Sequence, residues 1–227
     1  EMDLRQSNDG ALIILHDGNV DRTTDGHGRA DRLSLGDLQS LDAGYHFSPD
    51  GKTYPFRDKQ ITIPTLDEVF TAFPQIRFLI EIKDNSDTLA LALCRTVKRF
   101  KLEQQVSIAS FRNGPLEAFK DACPTVATST PSSASLAFTL LHWLRLDTAY
   151  HPTHQAFQFP LRMGNMDLVG RRFIERAHAH NVQVHAWTIN EPDTMRRLID
   201  LGVDGLITDY PDRLLKILQR LPEKEGQ

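Results

Sequence analysis

Short apolar runs alternate along the chain with longer segments of helical period. Seven of these runs have the length and apolar character of buried strands, and they lie at residues 1–4, 76–83, 105–111, 125–130, 156–162, 182–190 and 203–209. Strands that are apolar on both faces and alternate with helices are typical of a parallel sheet covered on both sides. The pattern therefore predicts an α/β protein.

The segments between the strands carry signals for helix ends. Thr65 is followed three residues later by Glu68, the spacing of a capping box at a helix start. Ser86 precedes a long, largely apolar segment and can cap a second helix. Gly202 follows a third helical segment, where a left-handed C-terminal cap is favoured. We therefore expect helices that begin near residues 65 and 86 and one that ends near residue 202.

Repeated strand and helix units predict a (β/α)₈ TIM barrel. A chain of 227 residues is within the range of one such barrel, so we expect a single domain over residues 1–220. Seven strands are one short of eight, and we expect the first barrel strand to lie upstream of Glu1. Residues 18–63 are rich in Gly and Asp with little long-period pattern, which predicts an irregular excursion from the barrel.

A further apolar run, "LIILHD" at residues 12–17, ends in a histidine and a carboxylate. The preceding "SNDG" is a tight-turn signal, so we expect this run to fold back as a hairpin on the first strand. That hairpin would bring His16 beside Glu1 and Asp3.

Carboxylates alternate on two of the predicted strands. Glu1 and Asp3 are two residues apart, as are Glu81 and Lys83, so each pair shares one face of its strand. Such pairs also occur on exposed strands, but here the flanking residues are apolar, and buried charge needs a partner or a metal. Three carboxylates at one barrel mouth would repel each other without a cation. We therefore predict a Mg²⁺ or Ca²⁺ site at Glu1, Asp3 and Glu81.

His16 has two readings. A lone histidine at a strand end is often a hydrogen-bonded core residue. Beside a metal site it favours general acid or base catalysis, because its ordinary pKa is near neutrality.

Composition narrows the class of partner and the compartment. A net charge of -4 and a pI near 6.1 argue against a broad nucleic-acid-binding face. No apolar run reaches 18 residues, so no span of a bilayer is predicted. We expect Cys94 and Cys123 to be buried, reduced and inert. These features favour a cytoplasmic protein, although the chain starts without Met and secretion stays open.

Several motifs together resemble the glycerophosphodiester phosphodiesterase family. The E-x-D of the first strand is followed, in the family's order, by "DGALIILHDGNVDRTTDGHG", "LSLGDLQSLDAG", "IPTLDEVF", "FLIEIK", "HAWTIN" and "GVDGLITDYP". The likeness covers almost the whole chain, and the H-D-x-x-x-x-R-T-T-x-G segment joined to E-x-D is highly specific.

The resemblance implies hydrolysis of glycerophosphodiesters to glycerol 3-phosphate and an alcohol by a metal-dependent barrel. It implies a metal at Glu1, Asp3 and Glu81, a catalytic His16, and Lys83 at the phosphate. Trp187 would line the alcohol side. The family's His-Arg-Gly motif on its first strand has no counterpart in the chain, so we expect an incomplete N-terminus and poor activity for the chain as it stands.

Residues 135–146, "SLAFTLLHWLRL", leave the substrate open. They read either as an ordinary buried barrel helix or as a peripheral contact with a membrane surface. The second reading would make the protein a lysophospholipase D acting on lysophospholipids. A function of another class is a catalytically silent barrel that binds phosphodiesters.

Overall fold

A computed structural model describes residues 1–163, 166–167 and 170–220. Its strands are β1 (Met2–Gln6), β2 (Leu12–Ile14), β3 (Phe78–Ile82), β4 (Val106–Ala109), β5 (Ala127–Thr128), β6 (Ala156–Pro160), β7 (Arg162–Met163), β8 (Met166–Asp167), β9 (Gln183–Trp187) and β10 (Gly205–Leu206). Its helices are α1 (Leu35–Gln39), α2 (Leu66–Ala72), α3 (Asp87–Phe100), α4 (Asn113–Ala122), α5 (Ser132–Trp143), α6 (Arg171–Ala179), α7 (Pro192–Leu201) and α8 (Pro211–Ile217). All seven predicted runs contain a strand, which confirms the α/β prediction.

Contacts divide the chain into two compact units, Glu1–Ala127 and Thr128–Gln227. The sheet of the first unit has the order β2-β1-β3-β4-β5, with β5 at the boundary of the units. Strands β1, β3 and β4 pair in parallel, and the buried apolar residues of this sheet pack on α3 and α4. The single domain predicted over residues 1–220 stays a prediction.

The hairpin predicted from "SNDG" is confirmed. Strand β2 pairs with β1 antiparallel, with Leu4 opposite Ile14 and Gln6 opposite Leu12. In the connecting turn the Ser7 amide donates to the Ala11 carbonyl at 3.0 Å, and Gly10 has a φ of +89°. Only glycine adopts that conformation without strain, which explains the turn signal.

The predicted helix ends are also confirmed. The Glu68 amide donates to the Thr65 hydroxyl at 3.2 Å while the Glu68 carboxylate accepts from the Thr65 amide at 2.7 Å, so the capping box starts α2. The Leu89 amide donates to the Ser86 hydroxyl at the start of α3. Gly202 ends α7 in the left-handed conformation, with a φ of +94°.

Residues 18–63 are mostly irregular, as predicted. They contain the short helix α1 and a 3₁₀ turn at Ala30–Arg32. A small separate core holds the excursion against β2, and its buried members are Ile13, Leu15, Val20, Ala30, Leu38 and Ile63.

The second unit has a parallel sheet of order β10-β9-β6. Its core is rich in aromatic rings, and Phe138 of α5 lies at their centre. The Phe138 ring centroid is 4.7 Å from that of Phe157, 5.0 Å from that of Tyr150 and 5.2 Å from that of Phe173. Helix α5 is therefore anchored to this unit by one aromatic face. In the described part of the chain, no helix has the length and apolar character needed to cross a membrane.

The prediction that Cys94 and Cys123 are reduced is wrong. Both are buried, as expected, but they form a disulfide between α3 and the end of α4. The sequence shows two thiols 29 residues apart, and only the packing of α3 on α4 brings their Cα atoms to 5.9 Å, within bridging range. Closing a loop of this length stabilises a fold by about 3–4 kcal/mol in the chain-entropy model. Disulfides persist mainly in oxidising compartments, and the cytoplasmic location stays a prediction.

Candidate active site

The alternation of β1 and β3 places the charged side chains on one face of the first sheet. Leu4, Ile80 and Ile82 are buried in the core. Their neighbours along the strands, Asp3 and Glu81, therefore point to the opposite face. The parallel register sets Asp3 directly beside Glu81. The two carboxylates meet because neighbouring strands are in register and both alternate in the same phase.

Three carboxylates and one lysine form the charged centre of this face. Carboxylate oxygens of Glu1, Asp3 and Glu81 all lie within 4.8 Å of one another. The Lys83 Nζ is 3.0 Å from Asp3 Oδ1 and 2.9 Å from Glu81 Oε2. One ammonium against three carboxylates leaves an excess of negative charge, which attracts a further cation.

Two members of this cluster, Glu1 and Lys83, have shifted pKa values. Burial, and then the nearby charge of Asp3, raises the pKa of Glu1 above its ordinary value. Burial lowers the pKa of Lys83, but hydrogen bonds to Glu81 and Asp3 outweigh it and raise that pKa overall. The lysine is therefore charged at neutral pH and forms ion pairs with both carboxylates.

The donor set fits a hard divalent cation. Oxygen ligands on Ca²⁺ lie about 2.3–2.6 Å from the ion, and those on Mg²⁺ about 2.0–2.1 Å. Two ligands on one Ca²⁺ can thus be separated by up to about 5 Å, which matches the spacing of Glu1, Asp3 and Glu81. The three residues predicted as metal ligands are therefore placed where they could share an ion.

A cavity of about 330 Å³ opens beside the carboxylates. This volume is at the lower end of the range for small-molecule sites. The cavity lies between the β1–β2 hairpin and the excursion. Its lining consists of Glu1, Met2, Asp3, Ile14, Leu15, His16, Thr23, Ala43, Ile63 and Pro64. The hairpin thus brings His16 to the same cavity as Glu1 and Asp3.

His16 lies in a chain of hydrogen bonds that ends at an arginine. Its Nδ1 is 2.7 Å from Asp17 Oδ1, and the other oxygen of Asp17 accepts a hydrogen bond from Arg22 Nε. Hydrogen bonds from Arg22 and then from His16 lower the pKa of Asp17 to about 2, so this carboxylate is ionised at neutral pH. An Nδ1 proton donated to Asp17 leaves Nε2 to exchange a proton with a substrate.

Sequence reasoning missed the supporting residues of this site. The sequence identifies Asp17 only as the neighbour of His16, and the predictions give no role to Arg22 or Arg5. The signal for Arg5 was present, because it lies two residues after Asp3 and so shares its face of β1. Arg22 is the arginine of the R-T-T motif, but nothing in the motif shows that it contacts Asp17.

Trp187 belongs to the second unit, whereas the other predicted site residues belong to the first. It is the last residue of β9 and is partly buried, and the peptide bond to Thr188 is cis. Its assignment to the alcohol side stays a prediction.

Carboxylates and a lysine along parallel strands, beside a cavity that a histidine also lines, are the arrangement of an α/β enzyme that acts on a charged substrate. The model of the glycerophosphoryl diester phosphodiesterase family matches residues 1–213. The chain belongs to this family and is an enzyme of the phosphodiesterase class.

Individual relatives agree with this assignment. The chain is 28% identical to a glycerophosphodiester phosphodiesterase of Caldanaerobacter subterraneus subsp. tengcongensis, covering 97% of the chain and 85% of the relative. It is 30% identical to probable glycerophosphodiester phosphodiesterase 2 of Mycobacterium tuberculosis, covering 100% and 81%. It is 26% identical to a lysophospholipase D of Rattus norvegicus, covering 97% and 77%.

Solved structures show the same fold. The glycerophosphoryl diester phosphodiesterase domain of a Mycobacterium tuberculosis protein superposes with a TM-score of 0.83 at 17% identity, covering 97% of the chain and 87% of that domain. An Oleispira antarctica phosphodiesterase, solved with the product sn-glycerol-3-phosphate, has a TM-score of 0.71 at 24% identity, covering 96% and 83%. These neighbours are TIM barrels, which confirms the predicted fold class.

Proposed function

We propose that the protein is a metal-dependent glycerophosphodiester phosphodiesterase that releases glycerol 3-phosphate and an alcohol. The observation that carries the proposal is the cluster of Glu1, Asp3 and Glu81 oxygens beside a cavity that Glu1, Asp3 and His16 line. Family membership supports the reaction class, and the product bound to the Oleispira antarctica relative supports glycerol 3-phosphate.

Each residue of the site would have a distinct task. Glu1, Asp3 and Glu81 would hold a Mg²⁺ or Ca²⁺ ion, which would supply a Lewis acid for the phosphoryl group. Lys83 is held on the same face by Asp3 and Glu81, and its ammonium would offset charge that develops on the phosphate oxygens. His16, with Nδ1 engaged by Asp17, would transfer a proton through Nε2 to or from the reacting oxygens. Trp187 would contact the alcohol.

The reaction is tested by measuring choline release from glycerophosphocholine by the full-length protein. With Mg²⁺ or Ca²⁺ we expect turnover, and with excess EDTA we expect it to fall at least about a hundredfold, because the loss of a Lewis acid removes several kcal/mol of transition-state stabilisation. Glycerol 3-phosphate should appear in equal amount. Turnover that survives EDTA would contradict the metal assignment. Binding of glycerophosphocholine without turnover would instead support the silent binding barrel.

One surface of α5 favours a second candidate, a lysophospholipase D at a membrane surface. Residues 135–146 were predicted to be either a buried barrel helix or a membrane contact. Only the face that carries Phe138 is buried, as the first prediction requires. The opposite face and the residues just after the helix are apolar and exposed. They are Leu136, Leu140 and Trp143 of α5 with Leu144 and Leu146 after it, each 47–67% exposed. We call this set the α5 apolar face.

Charge and composition indicate which partner fits the α5 apolar face. Residues 132–146 include Arg145 and no acidic residue, so the surface has no charge that would repel an anionic lipid headgroup. A tryptophan near the end of an exposed apolar helix face is suited to the boundary between headgroups and acyl chains. The similarity to a mammalian lysophospholipase D supports the same reading. We propose a lipid surface as the occupant.

Substituting the α5 apolar face separates the two candidate substrates. We expect Leu140→Glu combined with Trp143→Ala to lower sedimentation with phosphatidylcholine and phosphatidylglycerol vesicles, and to lower choline release from vesicle-borne lysophosphatidylcholine about tenfold. Each substitution would remove about 1 kcal/mol of binding free energy, because a half-exposed apolar side chain could no longer be buried in the lipid. Turnover of glycerophosphocholine should stay unchanged. Phe73→Glu is the matched control, because Phe73 is 51% exposed outside this face. Equal vesicle binding by both variants would rule out α5 as the lipid contact.

A further inference from the structure

The guanidinium of Arg5 connects two elements of the site. Arg5 belongs to β1, and its side chain is only 17% exposed. Its Nε and Nη2 donate to the backbone carbonyl of His16 at 3.1 and 2.8 Å. Its Nη1 forms an ion pair with Asp84, which directly follows Lys83.

Asp84 completes a closed set of contacts. One carboxylate oxygen pairs with Arg5 and the other accepts a hydrogen bond from the Gln6 amide at 3.2 Å. The end of β2, the middle of β1 and the end of β3 are therefore joined through one side chain. The peptide of His16 is held relative to the strands that hold Asp3, Glu81 and Lys83.

His16 has few other restraints. Its side chain is 62% exposed, so packing holds it weakly, and its imidazole is oriented by Asp17, which follows in the same loop. If that loop moved, His16 and Asp17 would move together. The Leu15 amide donates to the Asp3 carbonyl at 3.0 Å, which ties the start of this loop to β1 through the backbone. Arg5 adds side-chain hydrogen bonds at His16 itself.

We propose that Arg5 is a positioning residue, which fixes the His16 backbone so that the imidazole faces the cavity in a reactive orientation. This inference rests on the proposed catalytic role of His16. Arginine suits the task because its planar fork donates two hydrogen bonds to one carbonyl while a third N–H meets a carboxylate. A lysine ammonium cannot reproduce that geometry.

Arg5→Lys and Arg5→Gln test the proposal in the full-length protein. We expect kcat for glycerophosphocholine to fall about 10- to 100-fold in both, because support residues of this kind carry that much activity, and KM to change less than about threefold. The rise in melting temperature on adding Mg²⁺ or Ca²⁺ should match that of the wild type. Asp84→Asn, which keeps the fork on the His16 carbonyl, should reduce kcat less than Arg5→Gln does.

Arg99 provides the matched control. It forms an ion pair with Asp67 in the same unit, but both side chains are about half exposed. Arg99→Lys and Arg99→Gln should leave kcat within about twofold of wild type, since exposed ion pairs contribute little. A kcat within twofold of wild type for both Arg5 variants would overturn the inference. So would loss of the metal-induced stabilisation, because Arg5 would then support the carboxylates and not His16.

His16→Ala, measured beside these variants, distinguishes failure of the positioning role of Arg5 from failure of the catalytic role of His16. If His16→Ala is inactive and the Arg5 variants are fully active, the positioning role fails and the proposed function stands. If His16→Ala is active, the catalytic role of His16 fails first.

Discussion

Glu81→Gln is expected to lower kcat/KM for glycerophosphocholine about a thousandfold. The substitution keeps the shape of the side chain but removes one of the three carboxylates proposed as metal ligands and one ionic partner of Lys83. Loss of about 4 kcal/mol of transition-state stabilisation corresponds to this factor. The activity should not return at saturating substrate, since the substitution would weaken the proposed metal site and not the binding of substrate.

Metal binding itself gives an independent measurement of the Glu81 substitution. A ligand at a hundred times its Kd stabilises the folded state by about 2.7 kcal/mol, so wild-type protein should melt at a higher temperature with Mg²⁺ or Ca²⁺ than with EDTA. In Glu81→Gln this increase should largely disappear. Glu117→Gln is the control, because Glu117 is an exposed carboxylate of α4. An unchanged metal response in Glu81→Gln would show that Glu81 is not a ligand.

His16→Ala is expected to lower kcat by about 10² to 10⁴, the range for a general acid or base. Unlike Glu81→Gln, it should keep the metal-induced rise in melting temperature, because His16 is not one of the three residues proposed as metal ligands. The pKa of Asp17, about 2, keeps that residue ionised across the working pH range, so the effect should not depend on titration of Asp17. Steady-state kinetics and thermal melts on the same samples check both expectations.

A nearby histidine supplies the control for His16. His27 belongs to the excursion that follows His16, is 87% exposed and also faces an aspartate, Asp21. His27→Ala should have wild-type kcat. If His16→Ala and His27→Ala are equally active, "LIILHD" has no catalytic part and the histidine is structural.

Local patterns in the sequence were sufficient to predict the elements of the fold. Strand runs, the Thr65 capping box and the Gly202 cap depend on neighbouring residues alone, and each lies where it was expected. The Asp3 and Glu81 pair was also predictable, because parallel strands with charges in the same phase bring them together.

Features that depend on packing between distant segments were not predictable. The Cys94–Cys123 bond required knowledge that α3 contacts α4. The exposure of the α5 apolar face required knowledge of which side of the helix meets Phe157 and Phe173. The Arg5 contact joins side chain to backbone across a hairpin, and no residue pattern marks the carbonyl of His16 as its acceptor.

The hairpin turn at Ser7–Ala11 determines the position of His16 through the register of β2. Gly10 adopts a φ of +89°, and the turn sets Leu4 opposite Ile14. Because strand side chains alternate, a register shift of one residue would turn every side chain of β2 to the other face and carry His16 away from the cavity. The number of residues between E-x-D and H-D is thus constrained by the register. Single-residue insertions or deletions there should be selected against, even though the turn itself lies outside the catalytic residues.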